Sequence, residues 1–152
     1  MTLRERLAAE MKDAMRARAA DRLSTLRLIT SAIKDREIAA RSEAGAVEVT
    51  DTDILQLLGK MMKQRQESAR AFEAGGRPEL TAKELAEVAV IEEFLPQQMS
   101  AAAVDAAITA AIAETGAVGM KDMGRVIAVL KAAYTGQMDF AAVGPAVKAR
   151  LG

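Results

Sequence analysis

From Glu84 to Ser100 the chain reads E-L-A-E-V-A-V-I-E-E-F-L-P-Q-Q-M-S, a helix that must stop followed by one that must start. Leu85, Val88, Ile91 and Leu95 recur at helical spacing and predict one apolar stripe. Pro96 ends it, because proline has no N–H for the helical ladder and disfavours the α conformation at the residue before it; Ser100 is then a good N-cap. A short stiff connector, Pro96 to Met99, lies between. Composition shifts across it: 33 of the 42 Lys, Arg, Asp and Glu precede residue 97, and the remainder is rich in Ala, Val and Gly. The expectation is two modules, residues 1–96 and 97–152.

The rest of the chain is helical in pattern. Thr2 caps a first helix with Leu3, Leu7, Met11, Ala14 and Met15 inward, running to about Ala19. Asp21 caps a second, with Leu23, Leu26, Ile29, Thr30 and Ile33 on one face, to about Ala40. Ser42 to Val49 contains Gly45 and no periodicity, so 42–50 reads as a mobile loop. Thr50 and Asp53 form a capping box ahead of a long platform helix with Ile54, Leu57, Leu58, Met61, Met62, Ala69 and Phe72 in its stripe; Gly75-Gly76-Arg77-Pro78 stops it. Thr81 and Glu84 are expected to cap the helix at the joint. Beyond the connector, Ser100 caps a helix with Val104, Ile108, Ala111 and Ile112 inward, closed by Gly116. Asp122 to Tyr134 forms the next, with Met123, Val126, Ile127, Leu130 and Tyr134 inward. Gly144-Pro145 is expected to divide the tail into a turn at 140–143 and a last helix from Pro145 to Leu151. No strand pattern occurs. The fold class is all-α: an N-terminal helical module of about four helices plus a small C-terminal three-helix module.

Which chemistries can such a chain perform? It has no cysteine and no histidine, which excludes disulfides, thiol nucleophiles, Cys/His zinc sites and histidine-based triads. Its serines stand singly on helices, caps or a loop. Gly119-x4-Gly124 has the spacing of a phosphate-binding loop, but Arg125-Val126 follows where Lys-Ser/Thr is required and no strand precedes it. Asp51 and Asp53 read as helix-start carboxylates rather than metal ligands, and Glu92 and Glu93 point to different faces. No catalytic residue, cofactor or metal site is predicted. The methionines at helical spacing read as core. The N-terminus is charged from Arg4 and lacks an apolar signal segment, and Ala101 to Ala113 is too short to span a bilayer, so a soluble, cytoplasmic protein without a membrane role is expected.

Arg65 falls by phase inside the platform's apolar stripe, where an unpaired guanidinium is costly. A carboxylate of the joint helix, Glu92 or Glu87, is the expected acceptor, and the role is structural.

Binding rests on the remaining cations, since the net charge is zero and only local patches can attract an anion. Arg27, Lys34 and Arg41 recur every seven residues, within about 40° of one another and roughly 10 Å apart along the second helix. Residues 1–42 carry ten basic and six acidic side chains. Such a stripe suits either phosphates or a solvated face neutralised by nearby carboxylates. In the second module Lys121, Arg125 and Lys131 are the candidates.

Four strings in order, D-R-L-S-T-L-R-L-I-T-S-A-I-K, K-Q-R-Q-E-S-A-R-A-F-E-A-G-G-R, F-L-P-Q-Q-M-S and D-M-G-R-V-I, resemble the GatB/YqeY family over nearly the whole chain. The resemblance implies a helical N-terminal module and a small helical module similar to the tail of the GatB component of the tRNA-dependent amidotransferases. In those enzymes the tail helps to hold tRNA while the chemistry resides elsewhere. It also implies a label of carbon–nitrogen ligase activity with glutamine as amide donor, and tRNA or amidotransferase subunits as partners. The chain departs from the family's pattern at Gly136-Gln137-Met138-Asp139, where Gly-Arg-Ala-Asp is common, and at Tyr134, where a lysine is frequent. The expected function is therefore a non-catalytic binding protein associated with tRNA or an amidotransferase, nucleic acid being met by Lys121, Arg125, Lys131, Arg27, Lys34 and Arg41. The alternative is a helical protein–protein interaction adaptor that binds no nucleic acid.

Overall fold

A computed structural model describes residues 1–41 and 48–152. Seven α-helices and no strand are present among the described residues: α1 (Leu3–Arg16), α2 (Ala20–Arg41), α3 (Asp51–Ala74), α4 (Pro78–Glu92), α5 (Ala101–Thr115), α6 (Met123–Tyr134) and α7 (Phe140–Leu151). One 3-10 turn, Met120–Asp122, leads into α6. The chain divides into two compact units, Met1–Leu95 and Pro96–Gly152. Most of the predicted 42–50 loop, residues 42–47, lies outside the described residues; in its remaining part, Val49 is buried in the first unit's core.

In the first unit Leu26 and Ile29 of α2, Ile54 and Leu58 of α3 and Ile91 of α4 are wholly buried, with Leu3, Leu7 and Ala14 of α1 closing the cluster. Helix starts are set by side chains. Thr2 accepts from the Glu5 N–H while Glu5 reaches back to the Thr2 N–H, and Thr50 and Asp53 do the same for α3. Asp51 Oδ2 also accepts the Leu3 N–H at 3.4 Å, so the start of α3 braces that of α1.

Three helix ends close alike. After α3, Gly76 takes a left-handed φ of 69° while the Arg77 N–H bonds the Phe72 carbonyl; after α5, Gly116 does so at 65° while Ala117 bonds Ile112. After α1 the left-handed position holds Arg18, at φ 56°, with the Ala19 N–H on Ala14 and the Arg18 N–H on Met15. A side chain there carries strain that glycine escapes, so Arg18→Gly is expected to stabilise the first unit by about 1 kcal/mol, measured by urea unfolding.

Several local expectations are corrected. Helix α2 begins at Ala20, which places Asp21 in its first turn instead of at the cap. Helix α4 begins at Pro78, whose fixed φ suits the first helical position, so the Thr81–Glu84 capping box does not form; the Thr81 hydroxyl donates to the Arg77 carbonyl at 3.0 Å instead. The inner face of α4 is also rotated from the predicted stripe: Leu85 is 51% exposed and Glu92 is exposed, whereas Phe94 is buried. Met15 likewise faces outward.

The second unit packs Ala107, Ile108 and Ala111 of α5, Val126 and Leu130 of α6 and Val143 and Val147 of α7 around one core, with Tyr134 half-buried against it. Connector residues belong to this unit: the Met99 N–H donates to the Gln137 carbonyl at 2.9 Å and the Gln98 amide to that of Gly136. Helix α7 is continuous through Pro145, contrary to the predicted break. Asp139 caps it by accepting the Ala141 N–H, and the ladder bond that Pro145 lacks falls on the carbonyl of exposed Ala141, where water can replace it.

Candidate functional site

On α2, Arg27, Lys34 and Arg41 are exposed, and none of them has a hydrogen-bond or ion-pair partner among the described residues. Two cations nearby, Arg4 and Arg22, are neutralised. Arg4 pairs with Glu37 and also donates to the Val49 carbonyl. Arg22 bridges Glu93 at 2.5 Å and Glu10 at 2.8 Å, tying α1, α2 and the end of α4 together; those two carboxylates raise its pKa further above the usual guanidinium value. Sequence reading missed this bridge because its partners are 12 and 71 residues away.

In the second unit the candidate cations have different surroundings. Lys121 is exposed on the 3-10 turn. Arg125, on the first turns of α6, pairs with Asp122 at 2.5 Å while remaining 62% exposed. Lys131 lies 5.9 Å from the centroid of the Phe140 ring. Six residues of α-helix separate Arg125 from Lys131, a turn of about 120° around α6, so these two do not share one face.

Asp122 was not singled out by sequence, yet it organises this turn. It is 6% exposed and accepts the Val118 N–H at 3.0 Å as well as the Arg125 guanidinium. The Val118 N–H, then Arg125, hold its carboxyl below the ordinary carboxylate range. The turn so pinned projects Val118, 83% exposed, together with Met120 and Lys121. Since the carboxyl is acidified by folding, its contribution is complete above the unfolded value of about 3.9 and is lost as pH falls through the lower folded value. Wild-type protein should therefore lose melting temperature below about pH 4, and Asp122→Asn should lose part of that acid dependence while melting lower at pH 7.

The expected Arg65 pair is present, with Glu87 as acceptor: Nε to Oε2 is 2.9 Å and both side chains are 16% exposed. A further bond runs from Arg65 Nη1 to the Met61 carbonyl. Glu92 takes no part. Among the described residues no group of three or more Asp, Glu, His or Cys is arranged to hold a metal ion. A shallow open depression of about 350 Å³ lies where α3 turns into α4, beside Arg77 and Leu85. No single helix among the described residues is long and apolar enough to cross a membrane; α5 and the segment through α6 reach that composition only together, bent by 98°.

The sequence is similar to those of several known proteins. An uncharacterized protein of Schizosaccharomyces pombe is 30% identical over 91 residues, 60% of this chain and 70% of that protein. Altered inheritance of mitochondria protein 41, mitochondrial, is 36% identical over 89 residues in Clavispora lusitaniae, covering 59% of this chain and 49% of that protein. Its Saccharomyces cerevisiae counterpart (strain YJM789) is 30% identical over 91 residues, 60% and 47% of the two chains. The alignments thus span about half the length of these mitochondrial relatives. The family model described as Yqey-like protein matches residues 4–151, taking in all seven helices of both units but for Leu3, and by that match the chain belongs to the YqeY-like family.

Proposed function

We propose that this chain is a non-catalytic binding protein associated with tRNA or with the subunits of a tRNA-dependent amidotransferase, the second unit meeting the nucleic acid. The observation that carries this reading is the pinned turn before α6. Asp122 fixes its backbone and pairs with Arg125, and Lys121 and the 62% exposed Arg125 flank the N-terminal end of α6, where a phosphate would meet Lys121 and compete with Asp122 for Arg125. Lys131 adds charge on another side of the same helix. The amide-transfer label of the wider resemblance has no counterpart in the side chains, because glutamine amidotransfer needs a cysteine, or a serine activated by a lysine, and here there is neither cysteine nor such a serine setting. A cytoplasmic location belongs to the same proposal, set against the mitochondrial names of two relatives.

A salt titration tests the nucleic-acid reading. Bulk tRNA should bind at low salt and weaken as salt rises, and Lys121→Ala/Arg125→Ala/Lys131→Ala should flatten the dependence of log K on log salt by about 1 for each phosphate no longer neutralised. No binding at low salt, or binding unchanged in the triple variant, removes the reading.

A second reading, the protein-interaction adaptor, is favoured by one observation: Leu28 and Ile38 stand 43% and 61% exposed on α2.

A further inference from the structure

Helix α2 turns its buried side, Leu26, Ile29 and Ile33, into the first unit's core and leaves a structured face outside. At 100° per residue, Arg41, Lys34 and Arg27 line one edge of that face, Ile38, Ser31 and Ser24 its middle, and Asp35 and Leu28 its other edge, an arc of about 140°. All eight of these residues are exposed. Arg27, Lys34 and Arg41 are unpaired among the described residues, whereas nearby Arg4 and Arg22 are each paired with carboxylates. Ile38, 61% exposed, adds apolar surface beside the cationic edge.

The geometry points to this face as the docking surface for an acidic amphipathic helix of a partner protein. Ser24 and Ser31 are small enough to let a second helix approach. Ile38 and Leu28 supply apolar surface, and the cationic edge selects a partner with carboxylates along one flank. Nucleic acid fits less well, because the face has no aromatic side chain for stacking and presents apolar groups where phosphates would lie. A second copy laid antiparallel would set the cationic edge against itself. The inference is independent of the tRNA reading, which rests on the second unit.

The test uses the full chain and a fluorescent synthetic helix of about 20 residues, long enough to lie along most of α2, with leucines at helical spacing and glutamates on one flank. Controls are the same peptide with lysines for glutamates and a short duplex RNA. The acidic peptide should bind one to one; Arg27→Glu/Lys34→Glu/Arg41→Glu should weaken it by roughly tenfold or more at low salt, since charges at the edge of an interface act through salt-dependent association. Ile38→Ser/Leu28→Ser should weaken it at every salt concentration, and the Lys121, Arg125 and Lys131 alanine variant should bind it normally. All substituted α2 positions are exposed, and circular dichroism checks that each variant keeps its fold. Equal binding of the lysine peptide, or unchanged binding in both α2 variants, overturns the inference. So does duplex RNA binding that is lost on charge reversal but indifferent to Ile38→Ser/Leu28→Ser, which would assign the face to nucleic acid.

Discussion

Glu87→Ala is expected to destabilise the first unit by about 2–3 kcal/mol, because it strands a guanidinium that has little solvent around it. Arg65 and Glu87 are each 16% exposed and meet at 2.9 Å, and Arg65 also holds the Met61 carbonyl of its own helix. The remaining exposure keeps the loss below that of a fully buried pair, where breaking one partner costs about 3–5 kcal/mol. Removing both charges is a different experiment. Arg65→Met/Glu87→Leu replaces two desolvated ions with apolar groups of similar length and should return stability to within about 1 kcal/mol of wild type. Urea unfolding of wild type, Arg65→Met, Glu87→Leu and the double variant gives the coupling directly. A single Glu87→Ala variant as stable as wild type would mean that the pair fixes nothing between α3 and α4.

Leu58→Ala should cost more, about 3–4 kcal/mol, since Leu58 is wholly buried against rigid neighbours from other helices and the deleted methyl groups leave a cavity. By contrast, Leu85→Ala should cost under about 1 kcal/mol, although the two leucines look alike in their local patterns. Leu85 is half in solvent. The difference between the two melting temperatures measures whether the inner face of α4 is set as described.

That face shows where sequence reasoning reaches its limit. Counting along Leu85, Val88, Ile91 and Leu95 runs the phase through a region where α4 has already tightened: Glu93, Phe94 and Leu95 each bond the carbonyl three residues back. The shorter step brings Phe94 into the core. The helical face meanwhile centres on Glu87, Val88 and Ile91, because Arg65 can neutralise Glu87 from the neighbouring helix. A charge inside an apolar stripe announced the need for a partner, and the choice between two carboxylates had to await the packing.

Other signals were legible for local reasons. Thr50 with Asp53 specifies a helix start within four residues, and the structure has it. Thr81 with Glu84 has the same pattern, but Pro78 starts the helix one turn earlier and leaves the box nothing to cap. Pro145 was misleading in the opposite sense: a break was expected, yet the carbonyl it leaves unpaired belongs to an exposed residue, so the helix continues. Asp122 and Arg22 carry no local mark at all. Each acts through partners that only the fold supplies in the right place, and Asp122 in turn decides how Lys121 and Arg125 are presented.

Turnover is the most direct test of the proposal that this chain binds and does not transform. The purified chain should release no ammonia from glutamine and no phosphate from ATP, with or without added tRNA, at rates above buffer. Steady release of either, retained through successive purification steps and abolished by a single substitution in this chain, would contradict that proposal.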